Sequence, residues 1–277
     1  MAFNDISLTA GMRSNLIGLQ GTVNLINRTQ ERLSSGKKVN SALDNPTSFF
    51  AAQGLNQRAS DLAALKDGMG QAIQTVKAAD SGIKGITTLI EAARGIAQAA
   101  LGSSDVATVT AYATQYDAIL GQIDFLAADS GYKGTNLLNG DDLTVSFNED
   151  NSSNLAITGI TADSATLLVT VASGVWVAGG VVVSAEITNS LADLDVATTT
   201  LRDNSATLSS NLAVVNARLE FTSSMVSTLT EGADKLVLAD MNEEGANMLM
   251  LQTRQSLGTS ALSMSAQAAQ SVLRLFQ

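Results

Sequence analysis

The sequence predicts a mostly α protein: a long antiparallel helical bundle or coiled coil whose N- and C-terminal helices pair, with a small β-hairpin region. Three observations carry this prediction. Residues 1–33 and 236–276 both read as long, sparsely charged amphipathic helices, alike in kind and unlike the middle of the chain. Hydrophobic residues make up 45% of the 277, much of that Ala, with a single Pro, which suits helices with small side chains. Strand-like alternation is confined to one central stretch.

In the first helix, about residues 4–33, Met12, Leu16, Leu19, Val23, Ile26 and Leu33 fall at alternating steps of three and four. Gln30 fills the one polar slot of what is otherwise a coiled-coil seam. Such a helix is a rod of about 45 Å. Ser34-Ser35-Gly36 ends it, with Gly supplying a left-handed cap. After a short extended link, Asn45 caps a second helix and Pro46 takes its first position, where a missing N–H does no harm. Helical periodicity then persists to about residue 100 through Gly54, Gly68, Gly70, Gly82, Gly85 and Gly95. Each glycine costs about 1 kcal/mol relative to Ala. Either close approach of neighbouring backbones, within or between subunits, or the packing of a long rod offsets that cost.

A third helix is predicted over about residues 104–128, with Val106, Val109, Tyr112, Tyr116, Ile119, Ile123 and Leu126 on one stripe. Gly131-Tyr132-Lys133-Gly134 reads as a turn. Leu143, Val145 and Phe147 alternate with polar residues, as do Leu155 and Ile157, around a turn-rich 148–154; this is a hairpin pattern. Residues 166–172 and 175–187 also lean to β. A helix returns over about 190–230. In the last helix Met250, Leu257, Ala261, Met264, Ala268, Val272 and Leu275 repeat the seam spacing, with Arg254 in a polar slot and one extra step of four toward an eleven-residue period. The two terminal stripes are natural partners. The expected organisation is a terminal coiled-coil domain, residues 1–44 with 236–277, and a helical rod domain, 45–235, holding a small β region at about 141–187.

Composition excludes several function classes. There is no Cys, hence no disulfide or thiolate site, and no His, hence no Ser-His-Asp triad or HExxH zinc site. No paired catalytic group is identifiable, so neither an enzyme nor a cofactor is expected. The net charge of -10 is unevenly placed: residues 101–200 hold one basic and twelve acidic side chains. Such a block reads as a solvated outer surface and argues against nucleic acid as a partner. No secretory signal follows Met1, and the longest apolar run, 175–183, is interrupted by Gly179 and Gly180 and falls short of the roughly 20 residues a membrane span needs. Membrane insertion is not expected. A reading of a different class is a calcium-binding or adhesive surface module, in which Asp141, Asp142, Glu149 and Asp150 cluster hard oxygen ligands without the spacing of a recognised loop.

Residues 31–45, Glu-Arg-Leu-Ser-Ser-Gly-Lys-Lys-Val-Asn-Ser-Ala-Leu-Asp-Asn, resemble the amino-terminal signature of bacterial flagellins. Gln71 to Asp80 is similar to that family's next helical block, Tyr132 to Leu138 to its "FNGxxLL" turn, and Gln252 to Phe276 to its carboxyl terminus. The resemblance covers nearly the whole chain except about residues 160–188. It implies a structural subunit that polymerises into the flagellar filament and serves as the motility propeller, with paired termini lining a central channel and the middle facing outward. Between Arg254 and Arg274 no residue is charged, which suits a channel wall. By resemblance the partners are further copies of the chain, the flagellar export apparatus, a chaperone, and cap and junction proteins, and the location is the extracellular filament. A hook–filament junction protein or minor flagellin is the alternative within the family. Relatives carry variable outer domains where this chain offers only 161–186, so no substantial outer domain is expected. The helical region that the mammalian flagellin-sensing receptor grips in some relatives corresponds to about Leu89 to Gln98, with Arg94 at a basic contact position; Gly95 and Ile96 follow where an acid and leucine are expected.

Overall fold

The computed structural model describes residues 10–275, with side chains to residue 271. In chain order it comprises α1 (Ala10–Ser35), α2 (Pro46–Leu101), α3 (Val106–Asp129), β1 (Leu143–Ser146), β2 (Asn154–Ile157), β3 (Val177–Ala178), β4 (Val181–Val182), α4 (Ser184–Val237) and α5 (Met241–Leu275). The predicted start of the first helix at 4–9 lies outside the described residues. Two compact units form: residues up to 58 together with those from 228 onward, and Ala59–Ser227.

The 59–227 unit holds the main core. Three helices contribute, each with a stripe at alternating steps of three and four, the spacing that lets neighbouring helices interdigitate over their length. Ile83, Ile86, Ile90, Ala93 and Ala97 come from α2, Val109, Ala113, Tyr116, Leu120 and Ile123 from α3, and Ile187, Leu194, Ala197, Leu201 and Leu208 from α4. Asn45 caps α2 as its sequence position predicts, its Oδ1 accepting from the Ser48 N–H at 3.1 Å. Asp105 caps α3 by accepting from the Thr108 N–H at 2.9 Å. Two of the α2 glycines mark close approach within the chain. A Cβ on Gly82 would collide with Ser130 and stand 2.6 Å from Leu138 Cδ1, and one on Gly85 would stand 2.7 Å from Leu126 Cδ2. Gly54, Gly68, Gly70 and Gly95 face open space instead.

The turn after α3 is held by a buried Asn136. Its Nδ2 donates to the Ala127 and Ala128 carbonyls, both at 2.8 Å, and its Oδ1 accepts from the Leu138 N–H at 3.0 Å. One side chain thus satisfies the free carbonyls of the helix end and folds the next segment back onto the core. The predicted hairpin forms as β1 and β2, antiparallel, with Val145 opposite Leu155. Val145 and Ile157 point into the core.

Three expectations for the middle change. Residues 166–172 form no strand, because no partner strand lies alongside and their backbone N–H groups are taken by turns and carboxylates: Ala172 and Ser173 donate to Asp117 at 2.6 and 2.9 Å. The run 175–187 makes only the two-residue strands β3 and β4 around Gly179-Gly180, and α4 begins at Ser184, six residues before the periodicity suggests. Trp176 decides this region. It is fully buried against Tyr116, ring centroids 4.8 Å apart, and its Nε1 donates to Ser190 Oγ at 2.9 Å, which anchors the first turns of α4. Burial, with Asp193 and Asp117 nearby, pushes the Tyr116 phenol up, so it stays neutral.

The calcium reading also fails on geometry. Asp141 accepts from the Asn136 N–H and Asp142 from the Gly159 N–H at one end of β1, whereas Glu149 and Asp150 lie in the turn beyond its other end, where Asp150 accepts from Ser152. Among the described residues no group of three or more Asp or Glu side chains converges closely enough to hold a metal ion.

Candidate assembly surface

In the other unit α1 and α5 pack as an antiparallel pair. Leu19 lies against Gly258, where an added Cβ would stand 2.9 Å from Leu19 Cδ2, and Arg32 Nη1 reaches Glu244 Oε1 at 2.8 Å. As α1 advances, its partners on α5 recede. Glu244 is only 7% exposed, so the pair is a largely desolvated, charge-assisted bond at the open end of the seam. Beside it the two breaks in the helices pair with each other. Lys38 N–H donates to the Val237 carbonyl at 2.7 Å and Ala239 N–H to the Gly36 carbonyl at 3.0 Å, forming a bridge between Lys37 and Leu238. Gly36 has φ 70°, which an L side chain tolerates poorly and which makes the glycine of the Ser-Ser-Gly turn a conformational requirement.

On α1 the seam holds Met12, Leu19, Ile26 and Leu33 of the residues the sequence suggests, but not Leu16 and Val23. On α1, Met12 is buried and Leu19, Ile26 and Leu33 are half-buried, a strict step of seven. The intervening inward positions are Thr22 and Thr29, both buried, and not Leu16 and Val23, which lie on the exposed flank. Threonine is acceptable there because its hydroxyl can bond within the helix. Thr22 Oγ1 donates to the Gly18 carbonyl at 2.9 Å, leaving its methyl for packing.

The same offset holds on α5. The inward stripe runs through Glu244, Met248, Leu251, Gly258, Leu262 and Ala269. Of the predicted set, Ala261 is half-buried, Ala268 exposed, and Met250, Leu257 and Met264 are exposed at 62%, 67% and 64%. Met250, Leu257 and Met264 therefore lie on the outer face of α5 and not on its face toward α1, with the notch at Gly258 and the Arg32–Glu244 pair setting the rotation of the helix. The side chains of Val272 and Leu275 lie outside the described residues. The receptor-like positions do not share a face: Leu89 packs on the core, Gln98 is exposed, and the Arg94 guanidinium is engaged by Asp195 of α4.

This unit therefore presents large apolar side chains on both helices, Ile17 and Leu25 on α1 and Leu249, Met250, Leu257 and Met264 on α5. Its sequence is nearly charge-balanced, with nine basic and eight acidic residues, against seven and eighteen in the 59–227 unit. Among the described residues no helix is long and apolar enough to cross a membrane.

In three dimensions the chain is similar over part of its length to the crystal structure of Bacillus cereus flagellin, with a TM-score of 0.48 and 19% identity over 56% of this chain and 88% of that one. At the level of sequence, the bacterial flagellin N-terminal helical region matches residues 7–142. Flagellin FljK and flagellin FljM of Caulobacter vibrioides are 28% and 29% identical to it over the whole of both chains. A flagellin of Brucella melitensis is 28% identical over 99% of this chain and 98% of its own. The relatives thus align along both units, the paired terminal helices included, and the match reaches through the Ser-Ser-Gly break and the Asn136 turn whose geometry is described above. The chain belongs to the bacterial flagellin family.

Proposed function

We propose that this chain is a structural subunit of the flagellar filament and that it polymerises chiefly through the outer faces of α1 and α5. The observation that carries the reading is the set of large apolar side chains left exposed beyond those the α1–α5 contact uses: Ile17 and Leu25 on α1, and Leu249, Met250, Leu257 and Met264 on α5. Burying one exposed Leu or Met against a neighbour contributes about 1.5–3 kcal/mol. Every subunit of a helical polymer repeats that gain, and a heterologous contact that does not close propagates a filament. The near-neutral balance of this unit lets copies pack without strong repulsion, while the acidic unit faces solvent. The family is one of structural proteins, and its full-length relatives are flagellins. Export through the flagellar apparatus, chaperone escort and an extracellular location follow from that membership as parts of the same proposal.

The test replaces Leu257 and Met264 together with Asp. Both side chains face solvent in the subunit, so helix content and monomer melting stay near wild type. Polymerisation is lost, because each subunit would bury unpaired carboxylates at a cost of several kcal/mol. Seeded elongation followed by light scattering and negative-stain microscopy reads the outcome, and filaments of normal length would refute the assignment.

A further inference from the structure

A loop of the 59–227 unit holds a leucine exposed in a strained backbone conformation. Residues 163–169 form one helical turn. Asp163 Oδ1 accepts from the Thr166 N–H at 2.7 Å, Leu168 N–H donates to the Ala165 carbonyl at 3.1 Å, and Val169 N–H to the Ser164 carbonyl at 3.0 Å. These two closing bonds are those of a helix end at which glycine ordinarily sits in the left-handed conformation. Here the position is Leu168, with φ 61° and 68% exposure. A bulky residue in that conformation is an outlier that persists only where its surroundings over-determine it. They do so here: Ser164 is tied to Asp124 at 2.7 Å, Thr170 to Asp193 at 3.1 Å and Ala172 to Asp117 at 2.6 Å, while Leu167 and Val169 are buried on either side. Leu168, with exposed Val171 beside it, is a rigid apolar knob.

The same unit carries an unfilled groove with an apolar stretch in its lining. It lies between α2 and β1 and has a volume of about 360 Å³; Leu65, Gly68, Ala72, Leu143 and Val145 line it together with polar residues that include Gln71 and Tyr132. None of the 163–173 loop lines it. A Cβ on Gly68 would meet nothing within 4 Å, so this glycine is not required by its own chain's packing. The two features are also complementary in charge. Lys133 is the one charged residue lining the groove, whereas the segment that carries the knob is tied to Asp117, Asp124 and Asp193 and capped by Asp163.

We infer that the groove receives the Leu168 knob of a second copy, giving the 59–227 unit its own heterologous contact in the polymer. This rests on the filament-subunit reading and adds a specific lateral contact to it. Two substitutions test it without harming the monomer. Leu168→Gly removes the knob where glycine is the favoured residue, and Gly68→Leu fills the groove from a helical position with open space; in both, the monomer melting temperature equals or exceeds wild type. Each raises the critical concentration for elongation of wild-type seeds at least tenfold. The chain has no Cys, so Leu168→Cys and Gly68→Cys subunits mixed into wild-type filaments give cross-linked dimers on oxidation, and none when the same mixture is kept monomeric. Elongation of both variants at the wild-type critical concentration, or oxidised filaments without cross-linked dimers, would overturn the contact and leave polymerisation through α1 and α5 standing. Failure of that broader reading shows separately, as normal filaments from the Leu257→Asp, Met264→Asp variant.

Discussion

Single side chains in this protein act mainly by satisfying helix ends and loops. Asp80 illustrates the electrostatic consequence. Its carboxyl is held below the ordinary value of 3.8 first by the hydrogen bond from Lys84, at 2.6 Å, and also by Ser205 of α4 at 2.9 Å, with burial opposing both. Because the folded pKa is depressed, the stability that Asp80 contributes is fully present above 3.8 and is lost as pH falls through the folded value. Thermal melting of the monomer should therefore be insensitive to this group from neutral pH down to the carboxylate range and fall below it. Asp80→Asn should lower stability at neutral pH by about 1 kcal/mol or less and flatten the acid limb, as melting at a series of pH values will report. Leu168 holds a left-handed backbone conformation while its side chain stays exposed. Leu168→Gly should stabilise the monomer by about 1 kcal/mol, measurable by denaturant unfolding, because the left-handed position no longer opposes a Cβ.

At the scale of elements, α2 shows that glycines in one helix serve different ends. Gly82 and Gly85 let α2 come against the end of α3, and Gly95 touches nothing. Opposite outcomes follow for the same substitution. Gly82→Ala should destabilise the 59–227 unit by about 1–3 kcal/mol, since the new methyl meets Ser130 and Leu138 in a packed core. Gly95→Ala should stabilise it by about 1 kcal/mol through helix propensity alone. Calorimetry on the two variants tests both signs. The pairing of α1 with α5 is the contrasting element-scale case: its buried members are few, Met12, Thr22, Thr29, Glu244 and Leu251. A seam so thin leaves room for contacts from neighbouring copies.

For the whole molecule, charge segregation governs assembly. The 59–227 unit carries eighteen acidic residues to seven basic, so copies brought side by side repel through this unit more than through the nearly balanced terminal helices. Raising ionic strength from about 0.01 M to about 0.15 M shortens the Debye length from roughly 30 Å to about 8 Å. The critical concentration for polymerisation should therefore fall with added salt over that range, measured by sedimentation of filaments. A rise would mean that attractive ion pairs between copies outweigh the repulsion.

What the sequence determined by itself is what depends on near neighbours along the chain. The Asn45 cap with Pro46, the Gly36 stop and the β1–β2 hairpin are local chemistry, and each is found where the residues predict it. The resemblance carried by residues 31–45 and 132–138 sufficed for the family, because those turns need particular residues to close. The β-leaning of 166–172 misled, since alternation there serves burial of Leu167 and Val169 in a capped turn, and the backbone just after it donates to the distant Asp117 on α3. Only the tertiary structure decided which flank of each terminal helix faces inward. Two stripes one residue apart lie only about 100° apart on a helix, and the more apolar one would face the partner if burial alone ruled. The rotation is set instead by contacts between residues more than two hundred positions apart, Leu19 in the notch at Gly258 and Arg32 on Glu244. No periodicity within either helix encodes them, and they turn Met250, Leu257 and Met264 toward whatever lies outside.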